Sequence, residues 1–411
     1  MKMQAYNNLS LGAAYFWMLM IIITTSCSLF ESTNGAAPAY SINVARYGAR
    51  SDGKSEASKA FMKAWSTACH SGRPAVTIYV PRGLYMLKNV VFTGPCRSRI
   101  VFQIDGTLLA PSNYWELGSS GFWILFHRVN RMSIHGGTID ARAHSFWACR
   151  KSPGNNCPPG ARSIAFSWCS NIVVSGLTST NSQMKHLTFD HCNNVLVRKV
   201  KIRAPSSSPN TDGIHIQSSS AVTIRGANIM TGDDCISVGA GSRNLWMERV
   251  TCGPGHGISI GSLGDYANEE GVQNVTVTSS TFTKTQNGVR IKSWARPSNG
   301  YATDIVFQNL IMNNVYNPII IDQKYCPGNQ GCPHQSSSVK ISSVTYKNIV
   351  GTSATAVAMN LYCSKNNPCR GIKLQDIKLT YHTRSPTSVC VNARGTSSGV
   401  VIPKSCLGRN Y

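Results

Sequence analysis

Acidic side chains are scarce in this sequence. Of 411 residues only 17 are Asp or Glu, against 40 Lys or Arg, so the formal net charge is +23 at pH 7. With 42% hydrophobic residues, 35 Gly and 18 Pro, the composition is too apolar and too evenly mixed for a disordered or collagen-like chain. The positive charge favours an acidic partner, which could be a nucleic acid, an anionic membrane surface or an acidic polysaccharide.

Long hydrophobic runs are also missing. The apolar run from Leu11 to Ile23 has 13 residues, whereas a membrane-spanning helix needs about twenty. Lys2 precedes this run and a stretch of small and polar residues follows it as far as Ala37, which is the pattern of a secretory signal peptide. We therefore predict a signal peptide over 1–37 and a single domain over 38–411 with no membrane attachment after cleavage. The alternative is an uncleaved signal anchor.

The sequence contains no Cys-x-x-Cys pair, which argues against a zinc site. Removal of the signal peptide would leave 14 of the 15 cysteines, and an even number in a secreted chain predicts a disulfide framework. The pairs expected from their proximity in the sequence are Cys149/Cys157, Cys326/Cys332, Cys363/Cys369, Cys390/Cys406 and Cys235/Cys252. Asn274-Val-Thr276 is a glycosylation sequon, in keeping with secretion. Secretion and the scattered basic residues argue against a nucleic-acid partner.

A short strand pattern recurs along the sequence after about Asn130. Each copy alternates apolar and polar residues and is rich in Val and Ile, as strands are. The eight copies begin at Asn171, Asn194, Ala221, Asn244, Asn274, Asp304, Ser338 and Gly371. Their starts are 23, 27, 23, 30, 30, 34 and 33 residues apart, and a second strand pattern follows most of them. Such periods without helix signals indicate a solenoid.

We therefore predict an all-β fold, a right-handed parallel β-helix in which each coil adds one strand to each of several parallel sheets. The recurrent Asn at the strand entry fits turns with left-handed backbone. Apolar residues at helical spacing from Ala57 to Ala68, closed by Gly72, predict a short N-terminal helix that caps the open end of the solenoid. The alternative is a β-sandwich with irregular hairpins.

Three of the few acidic residues are placed about one predicted coil apart. Asp212 precedes Asp233 by 21 residues, and Asp234 follows directly. Neighbouring strands are about 4.8 Å apart, so the three carboxylates should meet on one face, which is electrostatically costly unless they have a use. Because side chains alternate along a strand, Asp233 and Asp234 can face the same way only at a local turn or bulge.

Three more polar residues follow at similar intervals. His256 lies in a Gly-rich segment, and Arg290 and Lys292 lie two positions apart, so they share one face of their strand. Hydrolysis of a glycosidic bond requires a protonated carboxyl and a carboxylate, and Arg and Lys bind the carboxylate of an acidic sugar. The combination favours cleavage of an acidic polysaccharide, although each residue alone also fits a turn, a solvated loop or the general basic character.

Four sequence segments contain these residues. They are Ser208-Pro-Asn-Thr-Asp-Gly-Ile-His215, Thr231-Gly-Asp-Asp-Cys-Ile236, Cys252-Gly-Pro-Gly-His-Gly-Ile-Ser-Ile-Gly-Ser262 and Gly288-Val-Arg-Ile-Lys292. Together they resemble the motifs of polygalacturonases of glycoside hydrolase family 28, the plant enzymes in particular. The resemblance extends from about Ile42 to Cys406. It implies a right-handed parallel β-helix that hydrolyses α-1,4-galacturonan, the backbone of pectin, with inversion.

The resemblance also implies roles for the acidic motifs. Asp233 would be the general acid, Asp212 and Asp234 would activate the water, and His256 would support the protonation state of the acid.

For substrate binding, the resemblance assigns Arg290 and Lys292 to a galacturonate carboxylate and Tyr325 to the same subsite. Neither a metal ion nor an organic cofactor is expected. The expected partner is pectin, the substrate in the plant cell wall. The protein is expected to be secreted and monomeric.

Further segments, among them Glu248-Arg-Val-Thr-Cys252 and Gly264-Asp-Tyr-Ala-Asn-Glu269, resemble the pollen exopolygalacturonases and favour cleavage from chain ends over endo-acting cleavage. Two other functions remain open from the residues. One is a pectate lyase, in which clustered aspartates bind calcium. The other is a non-catalytic wall-binding protein, against which the three intact aspartates argue.

Overall fold

The β-strands of the described residues coil into a right-handed parallel β-helix, as the sequence predicts. The structure is a computed structural model that describes residues 40–152, 154 and 156–408. The predicted signal peptide of 1–37 lies outside the described residues, and the single domain stays a prediction. No helix in the described part of the chain is long and apolar enough to cross a membrane.

Eleven parallel strands from successive coils form one sheet of the solenoid. They are Val90–Thr93, Phe122–His127, Arg162–Ser167, Leu187–Asp190, Ile214–Gln217, Ile236–Val238, Ile258–Leu263, Asn287–Trp294, Asn317–Tyr325, Val357–Tyr362 and Thr387–Val391.

The other strands of the described residues form a sheet of 21 strands. They are Tyr40–Asn43, Asp52–Glu56, Ala75–Val80, Leu84–Met86, Arg99–Ile104, Thr107–Leu109, Asn130–His135, Thr138–Asp140, Ser170–Ser175, Thr178–Thr180, Asn193–Arg198, Lys201–Arg203, Ser220–Arg225, Asn228–Met230, Arg243–Glu248, Thr251–Cys252, Val272–Thr283, Tyr301–Val315, Lys340–Ser353, Cys369–Tyr381 and Ala393–Ile402. The solenoid therefore begins well before Asn130, in coils whose spacing the N-terminal helix interrupts.

The N-terminal helix spans Ser58–His70, as its apolar spacing predicts. It buries Phe61, Ala64 and Trp65 against the first coils, so it closes the end of the core. Trp65 stacks on Phe102 with ring centroids 6.0 Å apart. The described residues also include α-helices Trp115–Gly118 and His144–Lys151 and 3₁₀ helices Val44–Tyr47 and Pro327–Asn329, which the repeat pattern did not predict.

Left-handed backbone recurs at one position in eight successive coils. In-register positions of the 21-stranded sheet have φ between +53° and +66°: Asn171, Asn194, Ala221, Asn244, Asn274, Asp304, Ser343 and Gly371. Asn side chains tolerate this conformation and hydrogen-bond between coils, as from Asn194 Nδ2 to Asn171 Oδ1 at 2.6 Å. The repeat start predicted at Ser338 was wrong by five residues, because the preceding loop carries an insertion and the equivalent residue is Ser343.

Inward side chains stack from coil to coil into one continuous core. Phe126, Phe166 and Phe189 occupy one register position, and successive ring centroids lie 5.1 and 5.0 Å apart. All three are buried. Such stacking fixes the register of the strands, and therefore also the register of the side chains on the outer face.

All five predicted disulfides are present. A sixth, Cys69–Cys96, joins residues too far apart in sequence to be paired by proximity. Cys169 and Cys192 are buried free thiols on adjacent coils, so the even number of cysteines did not mean that every cysteine was bonded.

Candidate active site

The predicted acidic residues and the histidine lie at one edge of the eleven-stranded sheet. Asp212, Asp234 and His256 each stand two residues before one of the paired positions Ile214, Ile236 and Ile258. Asp233 and Asp234 belong to a turn between strands Asn228–Met230 and Ile236–Val238, so strand alternation does not separate them. The local turn that the sequence required is therefore present.

Asp234 is held by two cations. Its Oδ1 accepts a hydrogen bond from Arg290 Nη2 at 2.9 Å, and its Oδ2 accepts one from Lys292 Nζ at 2.8 Å. Ser259 Oγ donates to the same carboxylate at 2.8 Å. Burial alone would raise the pKa of Asp234, but Lys292 and Arg290 outweigh it and hold that pKa at about 2. Asp234 is thus a fixed anion.

Asp212 has the opposite electrostatic environment. Its carboxylate accepts a hydrogen bond from Ser237 Oγ at 2.6 Å, and Ser237 also contacts His215 Nδ1 at 2.8 Å. Burial and the nearby charge of Asp233 raise the pKa of Asp212 to about 6. Two carboxyls on neighbouring coils therefore differ in the pH at which they lose their protons.

The raised pKa of Asp212 predicts a pH-dependent gain in stability for Asp212→Asn. Because the folded-state pKa is about 6 and the ordinary value is 3.8, the stabilisation by the bound proton is complete below pH 3.8 and is lost as the pH rises through 6. The side chain of the substituted asparagine does not ionise, so the variant does not lose this stability as the pH rises. We expect the variant to be more stable than the wild type by about 3 kcal/mol at pH 7 and equally stable at pH 3. Urea unfolding at both pH values measures the difference, and an equal effect at both would contradict the assignment.

Asp233 and His256 form the more open part of the cluster. His256 Nδ1 lies 3.2 Å from Asp233 Oδ1, and the two side chains are 36% and 20% exposed. The backbone N–H of His256 also donates to the Asp233 carbonyl at 2.8 Å. Gly257 follows with φ +90°, and a Cβ there would strike the Asn287 carbonyl, so only glycine allows the chain to pass so close to the next coil.

Arg290 and Lys292 lie on one face of strand Asn287–Trp294, as predicted, and both are buried. The Tyr325 ring lies beside them, with its centroid 4.9 Å from Lys292 Nζ and 5.7 Å from Arg290 Cζ. Trp294 packs edge-on against Tyr325, with the ring centroids 5.3 Å apart. All seven predicted site residues are therefore brought into one region of the outer face.

Sequence reasoning missed three residues that connect this cluster. His215, Ser237 and Ser259 stand at one register position with Arg290, so their side chains follow one another across four coils. Ser259 Oγ accepts a hydrogen bond from Arg290 Nε at 3.0 Å. The signal was present in the sequence, because each residue lies two positions beyond Gly213, Cys235, Gly257 or Gly288, at the same step of the repeat.

A family model of glycosyl hydrolases family 28 matches residues 69–402. The chain belongs to glycosyl hydrolases family 28. The resemblance inferred from the four motifs is confirmed, and a family 28 protein with this cluster is a glycoside hydrolase.

Family 28 relatives are similar over nearly their whole length. A polygalacturonase of Prunus persica is 54% identical over 92% of this chain and 96% of its own. An exopolygalacturonase of Platanus acerifolia is 44% identical over 88% of this chain and 96% of its own. The family model's match over residues 69–402 includes every coil that contributes to the candidate site.

Solved structures support the fold of this family 28 protein. An endo-xylogalacturonan hydrolase from Aspergillus tubingensis superposes with a TM-score of 0.76 at 24% identity, over 86% of this chain and 98% of its own. A polygalacturonase from Erwinia carotovora gives a TM-score of 0.73 at 24% identity, over 88% and 97% of the two chains. These matches establish the parallel β-helix.

Proposed function

We propose that this family 28 hydrolase is a polygalacturonase that cleaves the α-1,4-galacturonosyl linkages of pectin by inverting acid–base catalysis. The observation that carries the proposal is that the three carboxyls of Asp212, Asp233 and Asp234 lie together on the outer face of adjacent coils, where Asp234 binds the cation pair Arg290 and Lys292. The names of the plant relatives support the same substrate.

We assign the proton donor to Asp233. It is the most exposed of the three carboxyls, it contacts His256, and it is free to face a glycosidic oxygen. Asp234 cannot hold a proton at moderate pH, since Lys292 and Arg290 keep its pKa at about 2. Asp212 and Asp234 are assigned to the attacking water: Asp212, whose pKa is about 6, can deprotonate it, and Asp234 can orient it. We assign His256, whose Nδ1 lies 3.2 Å from Asp233 Oδ1, to positioning that carboxyl.

Arg290, Lys292 and Tyr325 suit a galacturonate residue. Arg290 donates through Nε and Nη2 to protein groups, which leaves its Nη1 available, and Lys292 has further ammonium protons beyond the one given to Asp234. Both can bind a uronate carboxylate while Asp234 balances part of their charge. The Tyr325 face provides an apolar surface for a sugar ring.

We further propose that the enzyme acts from chain ends, is secreted to the cell wall and works as a monomer. The exopolygalacturonase of Platanus acerifolia supports the first point at 44% identity. Six disulfides in the described residues support an oxidising compartment.

A calcium-dependent lyase remains the alternative chemistry. Asp233, Asp234 and His256 offer ligand atoms within 4.8 Å of one another, which is close enough for a metal ion. However, both Asp234 oxygens already accept from Arg290 and Lys292, and these positive charges oppose a bound cation. The donor set therefore fits hydrolysis without a metal better than calcium-assisted elimination.

Digestion of purified polygalacturonic acid tests the proposal. We expect saturated galacturonate monomer as the product, a slow loss of viscosity, and the same rate in the presence of a chelator. Mixed oligomers would contradict exo action but keep the polygalacturonase assignment. An unsaturated product that absorbs in the ultraviolet, formed only with calcium, would replace the hydrolase by a lyase. No cleavage at all would overturn the proposed function.

A further inference from the structure

A polar pocket opens beside the candidate active site, on the N-terminal side of the catalytic aspartates. Its volume is about 500 Å³, which is in the range of small-molecule sites. Arg162 and Lys185 contribute its positive charge, and His215, Thr188, Asp190 and Gln217 line other parts of it. None of the predicted site residues lines this pocket.

The strand register aligns the two cations with the catalytic residues. Ile164 pairs with Leu187, which pairs with Ile214, and Arg162, Lys185 and Asp212 each stand two residues earlier. Along successive coils this position therefore reads Arg162, Lys185, Asp212, Asp234 and His256. Neighbouring strands are about 4.8 Å apart, so Arg162 lies about 10 Å before Asp212 along the solenoid.

Both cationic side chains stand apart from the other charged groups that the structure describes. Among the described residues, neither the Arg162 guanidinium nor the Lys185 ammonium makes an ion pair or a side-chain hydrogen bond. Arg162 is exposed, whereas Lys185 is half-buried and burial lowers its pKa. The charges of Asp212 and Asp233 act on Lys185 in the opposite sense and raise its pKa, but unlike Asp234 with Arg290 and Lys292 they do not form an ion pair with it.

Thr188 gives an independent indication of a ligand. Its side chain is 1% exposed, and its Oγ1 has no hydrogen-bond partner within the described part of the chain, although Thr188 lines the pocket. A buried hydroxyl without a partner is uncommon in folded proteins. A sugar hydroxyl in the pocket would supply the missing hydrogen bond.

We propose that Arg162 and Lys185 form a second uronate subsite, which binds a galacturonate carboxylate on the opposite side of the aspartates from Arg290 and Lys292. Asp190 and Gln217, on the other side of the pocket, bind sugar hydroxyls rather than the carboxylate, since an anion would be repelled by Asp190. A galacturonan chain then lies along the solenoid with a cationic contact on each side of the scissile bond. This inference rests on the proposed function.

The test compares two double variants that remove the same net charge. Arg162→Gln/Lys185→Met deletes the proposed subsite, and Lys347→Met/Arg370→Gln deletes two exposed cations of the 21-stranded sheet. Each is made in an Asp233→Asn background, so that trigalacturonate binds without being cleaved. Calorimetric titration then gives Kd for trigalacturonate and for its methyl ester at two salt concentrations.

We expect the subsite variant to raise Kd for trigalacturonate at least tenfold, to weaken its salt dependence and to leave Kd for the methyl ester nearly unchanged. The control variant should bind both ligands as the Asp233→Asn parent does.

Equal Kd values in the two double variants, or equal losses of affinity for the acid and the ester, would overturn the subsite. If either of these results is obtained while the wild-type enzyme hydrolyses polygalacturonate, only the subsite is wrong. If the wild type neither cleaves nor binds polygalacturonate, the proposed function is wrong as well. Arg162→Gln alone, at an exposed position, repeats the test should the double variant not fold.

Discussion

Asp233→Asn is expected to lower the rate of polygalacturonate hydrolysis by about 10²- to 10⁴-fold, the contribution usual for a positioned general acid. Asparagine preserves the size of the side chain, and its carbonyl oxygen can still accept the hydrogen bond from the Asp234 N–H, which lies 2.7 Å from Asp233 Oδ1. Only the transferable proton is lost. KM should therefore change much less than kcat.

A substrate with a better leaving group separates the acid from the base. If Asp233 donates the proton, Asp233→Asn should retain most of its activity on an aryl galacturonide whose phenol departs without protonation. Asp212→Asn should be impaired on both substrates, because the water still lacks a base. The reverse pattern would assign the acid to Asp212, whose pKa is about 6, and would overturn the role given to Asp233.

Asp304→Asn is a matched control for the Asp233 variant. Asp304 is exposed at the left-handed turn position where other coils carry Asn171 or Asn194. The same Asp-to-Asn exchange there should leave both kcat and the free energy of unfolding close to their wild-type values. Comparable losses in the two variants would indicate that the Asp233 effect arises from general damage.

Much of the fold could be predicted from the sequence because a solenoid repeats one local pattern. The left-handed turn at Asn171 and Asn194 reappears with the same residue type, so its spacing reports the length of a coil. The pattern fails where coils differ in loop length. The pattern predicts a strand entry at Ser338, but Ser343 holds that position, because the longer loop before it hides the register.

The residues of the candidate site could be predicted from the sequence, but the hydrogen bonds and ion pairs between them could not. Spacing brought Asp212, Asp234 and His256 together, because residues at one step of the repeat must stack. Spacing could not show that Arg290 and Lys292 bind Asp234, which depends on where long side chains point. Lys185 lies 27 residues before Asp212, a separation that also occurs between two strand starts, so the repeat itself indicates that Lys185 stands one coil before Asp212.

The ion pairs of Asp234 lead to a large expected effect on stability. Asp234 is 1% exposed, and Asp234→Ala would leave the Arg290 and Lys292 charges buried beside each other without an anion. We expect the free energy of unfolding to fall by about 3 to 5 kcal/mol at pH 7, as for other broken buried ion pairs. Urea unfolding measures this loss directly.

The surface pair Asp265–Arg296 supplies the comparison. Its atoms are 2.9 Å apart, as in the Asp234–Arg290 pair, but its side chains are 45% and 41% exposed. Asp265→Ala should cost about 1 kcal/mol or less, because water stabilises the remaining charge. If Asp234→Ala cost no more than this, burial of the two cations could not be the cause.

A triple variant isolates the cause further. Asp234→Ala combined with Arg290→Met and Lys292→Met removes all three charges, so no unpaired charge remains in the interior. We expect it to regain much of the stability lost in Asp234→Ala while remaining inactive on polygalacturonate. If the apolar replacement restores stability but not hydrolysis, the protein has these buried ion pairs because substrate binding and catalysis require them, and not because they stabilise the fold. A triple variant no more stable than Asp234→Ala would contradict that explanation.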